Sequence, residues 1–82
     1  MFINKTKDGQ NNLCGNAVEK RRKEMGLSQR QLAELLQIAG LDLDKNAIQR
    51  IEAGKRFVTD IEITYLSKVL ELSYEELLKN ID

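Results

Sequence analysis

SQRQLAELLQIAGLDLDKNAIQRIEAG, residues 28–54, is the stretch on which the fold turns. It opens with a capping box, Ser28-Gln29-Arg30-Gln31, in which the serine hydroxyl takes the Gln31 backbone N–H and the Gln31 side chain reaches back to the serine N–H. Leu32, Leu35, Leu36 and Ala39 then recur at helical spacing and share one face. Gly40 to Asp44 reads as a connector. Asp44 is placed to cap a further helix, Lys45 to Ala53, which stops at Gly54. Two short amphipathic helices in close succession therefore stand at the centre of the chain.

The flanks extend the same pattern. Upstream, a helix from Asn16 to Met25 is expected, ending at Gly26, with Cys14, Val18, Arg22 and Met25 on one stripe. Downstream, Thr59-Asp60-Ile61-Glu62 is a second capping box, opening a helix whose inward stripe is Ile63, Leu66, Val69 and Leu70. Ser73-Tyr74-Glu75-Glu76 is a third, opening a short last helix with Leu77 and Leu78. Alternation of strand length is missing, so five helices account for the chain from residue 13 onward. Residues 1–12 have little to bury and read as a loose arm. Its Lys5 and Lys7 are candidates for a minor-groove contact, disorder being the preferred account.

On the third helix Ala47, Ile48 and Ile51 point one way, and Lys45, Asn46, Gln49 and Arg50 form a stripe on the other side. That stripe holds no acid. Asn and Gln can pair bidentately with adenine, Arg with guanine, and Lys with a guanine edge or a phosphate. Helix exteriors are polar as a rule. Taken alone, the stripe is equally a solvated face or a base-reading one.

Composition narrows the alternatives. The chain of 82 residues has room for one domain, and its 41% hydrophobic and 32% charged residues suit a folded, soluble one. No apolar run approaches the roughly 18 residues of a membrane span, and the first nine residues are polar where a signal peptide is apolar, so no membrane partner and a cytoplasmic location are expected. Cys14 is the single cysteine and histidine is absent, which excludes an internal disulfide and leaves no zinc site. Cys14 is expected in the core rather than as a redox sensor. Asp42, Asp44 and Asn46 mimic the start of a calcium loop, but Ala47 and Ala53 replace its glycine and its glutamate, so no metal and no cofactor is implied. No nucleophile with a base at readable spacing and no phosphate-binding glycine loop is present, and an enzyme is not expected. Net charge is zero but unevenly spread. Residues 1–58 hold eleven Lys and Arg against seven Asp and Glu, and residues 59–82 hold two against six, giving +4 and −4.

From Asn16 to Leu78 the sequence resembles the Cro and phage-repressor (XRE-type) helix-turn-helix family. The resemblance runs in order through Arg22-Lys23-Glu24-Met25-Gly26-Leu27-Ser28-Gln29, Leu32-Ala33-Glu34-Leu35-Leu36, Asn46 to Arg56, and Leu66-Ser67-Lys68-Val69-Leu70-Glu71-Leu72. It implies an all-α, compact five-helix bundle containing a lambda-repressor-like helix-turn-helix in residues 13–82. It also implies sequence-specific binding of an operator in double-stranded DNA by a transcriptional repressor acting as a homodimer, with the third helix in the major groove. By the same resemblance Lys45, Asn46 and Arg50 match base-reading positions, with Gln49 beside them. Ser28, Gln29, Lys55 and Arg56 match contacts to the phosphate backbone. Arg22 lies within an apolar stripe, where an unpaired charge is costly, and Glu52 matches the family's partner for it.

The stretch from Gln37 to Asp44 departs from the family, whose turn is three or four residues; either the second helix extends or the loop bulges. The competing reading is a helix-turn-helix used for protein binding, as in an antitoxin or anti-repressor, with the acidic C-terminal third as the docking surface. Ile61, Tyr65, Tyr74 and Ile81 are candidates for a dimer seam.

Overall fold

The computed structural model describes residues 5, 6 and 9–78. Lys7 and Ile81, singled out above, lie outside them. The described residues form five helices and no strand: α1 (Gly15–Glu24), α2 (Gln29–Ala39), α3 (Lys45–Glu52), α4 (Asp60–Leu70) and α5 (Tyr74–Leu77). All three capping boxes are present with both of their hydrogen bonds. Orphan N–H groups at those helix starts are thus satisfied locally, which sets where each helix begins.

Helix α1 starts one residue earlier than the expected Asn16, because the Gly15 N–H donates to Asn12 Oδ1 at 2.8 Å. Glycine is required here by contact. A Cβ at Gly15 would be driven into the Ile51 carbonyl oxygen at the far end of α3. Along α1, Cys14, Val18 and Arg22 are buried, and Met25 is half-buried against the core.

Of the two outcomes open for residues 37–44, the second helix extends. Helix α2 continues through Ala39 and is ended by Gly40, whose φ of +115° a side chain would strain. The short remainder folds inward: Leu43 is buried, and its carbonyl accepts from Gln37 Nε2 at 3.0 Å. The connector thereby becomes part of the core.

Leu32 and Leu36 from α2, Ile48 and Ile51 from α3, Leu66 and Leu70 from α4, Leu77 from α5, and Cys14 and Val18 are all fully buried. Every helix contributes to one centre, and each such aliphatic side chain gains about 1.5–3 kcal/mol by leaving water. Helix α3 packs on α2 and α1, while α4 packs on α2, α1 and α5. Ile63 and Val69 are only half-buried and Leu78 is exposed, so the inward faces of α4 and α5 are narrower than their apolar patterns suggest.

Candidate nucleic-acid interface

Helix α3 begins where Asp44 Oδ1 accepts the Ala47 N–H at 2.8 Å. Ala47, Ile48, Ile51 and Glu52 are buried, and Lys45, Asn46, Gln49 and Arg50 are exposed. Among the described residues none of those four exposed side chains has a hydrogen bond or ion pair within the protein. Their full donor and acceptor capacity faces outward, over an arc of about 140° at helical spacing.

On its inward side α3 is tied into the protein through Glu52. The Arg22 guanidinium grips the Glu52 carboxylate with two bonds, Nε to Oε2 at 2.7 Å and Nη2 to Oε1 at 3.0 Å. Its Nη1 donates to the Leu27 carbonyl at 2.8 Å. Both residues are nearly closed to solvent, at 8% and 9% exposure. The Glu52 carboxylate raises the Arg22 pKa against the opposing effect of burial, so this arginine stays charged. Gln29 completes the network, its Nε2 donating to Glu52 Oε1 at 3.0 Å. Three helices, α1 through Arg22, α2 through Gln29 and α3 through Glu52, are locked at one buried carboxylate.

This places Gln29 half-buried at the first turn of α2 with one amide hydrogen spent inside the protein. Ser28 is exposed, and its oxygen accepts the Gln31 N–H at 3.0 Å, leaving the hydroxyl hydrogen free to turn outward. Lys55 is exposed, with no side-chain partner among the described residues.

Arg56 is placed differently from Lys55. Its Nη1 and Nη2 meet Glu62 Oε1 and Oε2 at 2.9 and 3.0 Å, and Nη1 also donates to the Phe57 carbonyl at 3.1 Å. Glu62 is buried at the start of α4. Arg56 first, and then the Thr59 cap, hold its carboxyl below the usual carboxylate range against the effect of burial. Sequence reasoning leaves this second ion pair out. The signal for it is a buried-side glutamate doing double duty as the third residue of a capping box.

Three further contributors carry no sequence pattern of their own. Asn11 and Asn12, in the stretch expected to be a loose arm, donate to carbonyls at and beyond the end of α3: Asn12 Nδ2 to Ile51 and Arg56, Asn11 Nδ2 to Lys55. Arg21 donates through Nε to the Leu70 carbonyl at 2.9 Å and so caps the end of α4.

The family model described as Helix-turn-helix matches residues 18–77. Among solved structures, the restriction-modification controller protein C.AhdI from Aeromonas hydrophila is similar, with a TM-score of 0.66 and 32% sequence identity over 77% of this chain and 84% of that chain. No curated protein matches the sequence.

Proposed function

This chain belongs to the XRE-type helix-turn-helix family of DNA-binding transcription regulators, and from that premise we propose that it is an operator-binding repressor that reads the major groove with α3. The observation that carries the reading is the division of labour on α3. Its inward acid is locked by Arg22 and Gln29, while Lys45, Asn46, Gln49 and Arg50 are exposed and unpartnered among the described residues. An eight-residue helix is about 12 Å long, comparable to the width of the groove it would enter.

In this reading Asn46 and Gln49 pair with adenine, Arg50 with guanine, and Lys45 with a guanine edge or a phosphate. Ser28 and Gln29 meet a phosphate at the α2 N-terminus, where the helix dipole and the outward N–H groups of the first turn favour an anion. Lys55 meets the next phosphate after α3. Arg56 adds the guanidinium hydrogens that Glu62 and Phe57 leave over. Two copies bind a two-fold related site with half-sites about 34 Å apart. The likeness to a restriction-modification controller protein supports the genes of such a system as the setting for that control.

Selection from a pool of random duplexes tests this. The expected outcome is a two-fold related consensus; recovery of no preferred sequence overturns it. The second reading, a domain that docks a protein through its acidic third, is favoured by exposed Asp60, Glu71 and Glu75 lying near exposed Ile61 and Tyr74 in sequence. It predicts a specific protein complex and no salt-dependent DNA binding.

A further inference from the structure

We propose that Asn12 is a positioning residue for the reading helix, clasping the end of α3 so that Arg50 and Lys55 are held in register with DNA; the inference rests on α3 being the DNA-contacting helix. The amide of Asn12 is almost fully used. Nδ2 donates to the Ile51 carbonyl at 3.1 Å and the Arg56 carbonyl at 2.8 Å, and Oδ1 accepts the Gly15 N–H at 2.8 Å. Only one orientation of the amide satisfies all three partners.

Asn11 continues the clasp. Its backbone N–H donates to the Gly54 carbonyl at 2.8 Å and its Nδ2 to the Lys55 carbonyl at 2.9 Å. The Ile51 carbonyl in the last turn of α3, which also accepts the Gly54 N–H at 3.0 Å, and the carbonyls of Gly54, Lys55 and Arg56 in the segment that follows are therefore bonded by two consecutive asparagines. The close approach is built in from the other side as well, since Gly15 has no Cβ to collide with the Ile51 carbonyl.

The physical need is specific to α3. It is eight residues long, and the side proposed to face the groove has nothing in the protein to pack on. Its pose is set by its apolar face, by the Arg22–Glu52 pair, and by whatever holds its last carbonyls. Asn11, Asn12 and Gly15 all precede residues 18–77, the part that matches the helix-turn-helix family. The clasp thus reaches the reading helix from outside the matched segment, and it fixes the backbone of Lys55 directly.

The test is Asn12→Asp, which keeps an oxygen for the Gly15 N–H and removes both donors, the one to Ile51 in the last turn of α3 and the one to Arg56 after it. Amide hydrogen exchange of the free protein is expected to speed by at least about tenfold at Ala53, Gly54 and Lys55, and to stay within about twofold at Leu66 and Leu70 of α4. Affinity for the selected operator, measured at a temperature where both proteins are folded, is expected to fall by about tenfold or more, with affinity for random duplex within about threefold. Asn11→Ala, which leaves the cap of α1 untouched and loses the bond to Lys55, is expected to show a milder loss in the same direction, and keeps the test open should Asn12→Asp fold poorly. Faster exchange spread evenly over all helices, or local loosening with unchanged operator affinity, overturns the inference. Arg50→Ala on the same operator separates the two levels. If it weakens binding while both asparagine variants do not, the clasp alone is wrong; if it too is without effect, the reading of α3 fails and the clasp's role falls with it.

Discussion

Cys14 stands just before α1 with no exposed surface, and burial pushes its thiol up to about 11. At neutral pH it is a protonated, enclosed group with neither the thiolate nor the access that reactivity needs. Labelling by a disulfide reagent at pH 8 is expected to follow unfolding rather than reagent concentration; a rate that rises in proportion to reagent in the native protein contradicts this. Glu71 holds the opposite kind of position. It ends α4 with φ of +56°, a conformation costly for any residue with a Cβ, and its contact with Arg21 is long and exposed at 3.9 Å. Glu71→Gly is expected to raise stability by about 0.5–1 kcal/mol, read from denaturant midpoints at constant slope. Arg22 belongs to the residue scale too. Removing one partner of a buried pair strands the other, so Arg22→Ala or Glu52→Ala is expected to cost about 3–5 kcal/mol, and an unchanged melting temperature in either refutes the structural role given to the pair. That Arg22 has a partner is legible in the sequence because a charge inside an apolar stripe demands one, and the family resemblance names Glu52 as that partner. The third member of the network, Gln29, is not legible: an amide on a helix's first turn looks the same whether it faces a phosphate or a carboxylate.

At the scale of elements, sequence and structure agree where the signal is local. A capping box names its own hydrogen bonds, so the starts of α2, α4 and α5 follow from four residues each. Where a helix stops, or how two helices meet, depends on neighbours distant in sequence. That is why the burial of Leu43 and the Arg56–Glu62 pair are not readable from pattern alone. Asn11 and Asn12 make the same point. A segment with little apolar surface reads as loose, yet these two residues bind through side-chain hydrogen bonds that hydropathy does not register. The Arg56–Glu62 pair has a pH signature. Glu62 is held below its unfolded value, so its contribution is fully present above the ordinary glutamate range near 4.5 and is lost as pH falls through the depressed folded value. Arg56→Gln is expected to flatten the acid limb of the stability curve below about pH 5, while leaving its shape near neutrality unaltered. An acid limb identical to that of the parent shows that another carboxylate governs it.

For the whole molecule the division of charge matters more than its zero sum. The +4 of residues 1–58 accompanies the helices proposed to face DNA, and the −4 of residues 59–82 accompanies α4 and α5. Exposed Lys45, Arg50 and Lys55 give the face proposed to meet DNA a positive field that attracts a polyanion, a long-range effect that salt screens. Association with DNA is therefore expected to slow and affinity to weaken steeply as salt rises, with Lys55→Ala reducing the slope of log K against log salt by about one per half-site. The proposed homodimerisation on an operator has no legible signal at this scale. Ile61 and Tyr74 are exposed and Tyr65 is half-buried, but a pattern of surface apolar residues does not distinguish a seam from ordinary exterior.

The central claim is that α3 reads bases, and the measurement that addresses it most directly is the affinity of the Asn46→Ala, Arg50→Ala double variant for the selected operator and for random duplex, side by side with the parent. Both side chains are exposed and free of intramolecular partners among the described residues, so the fold is expected to be unaffected. The account predicts that the preference for operator over random sequence collapses while the salt-dependent binding to random duplex persists. A variant that keeps the parent's preference contradicts it, and moves the reading of DNA, if there is any, to another part of the molecule.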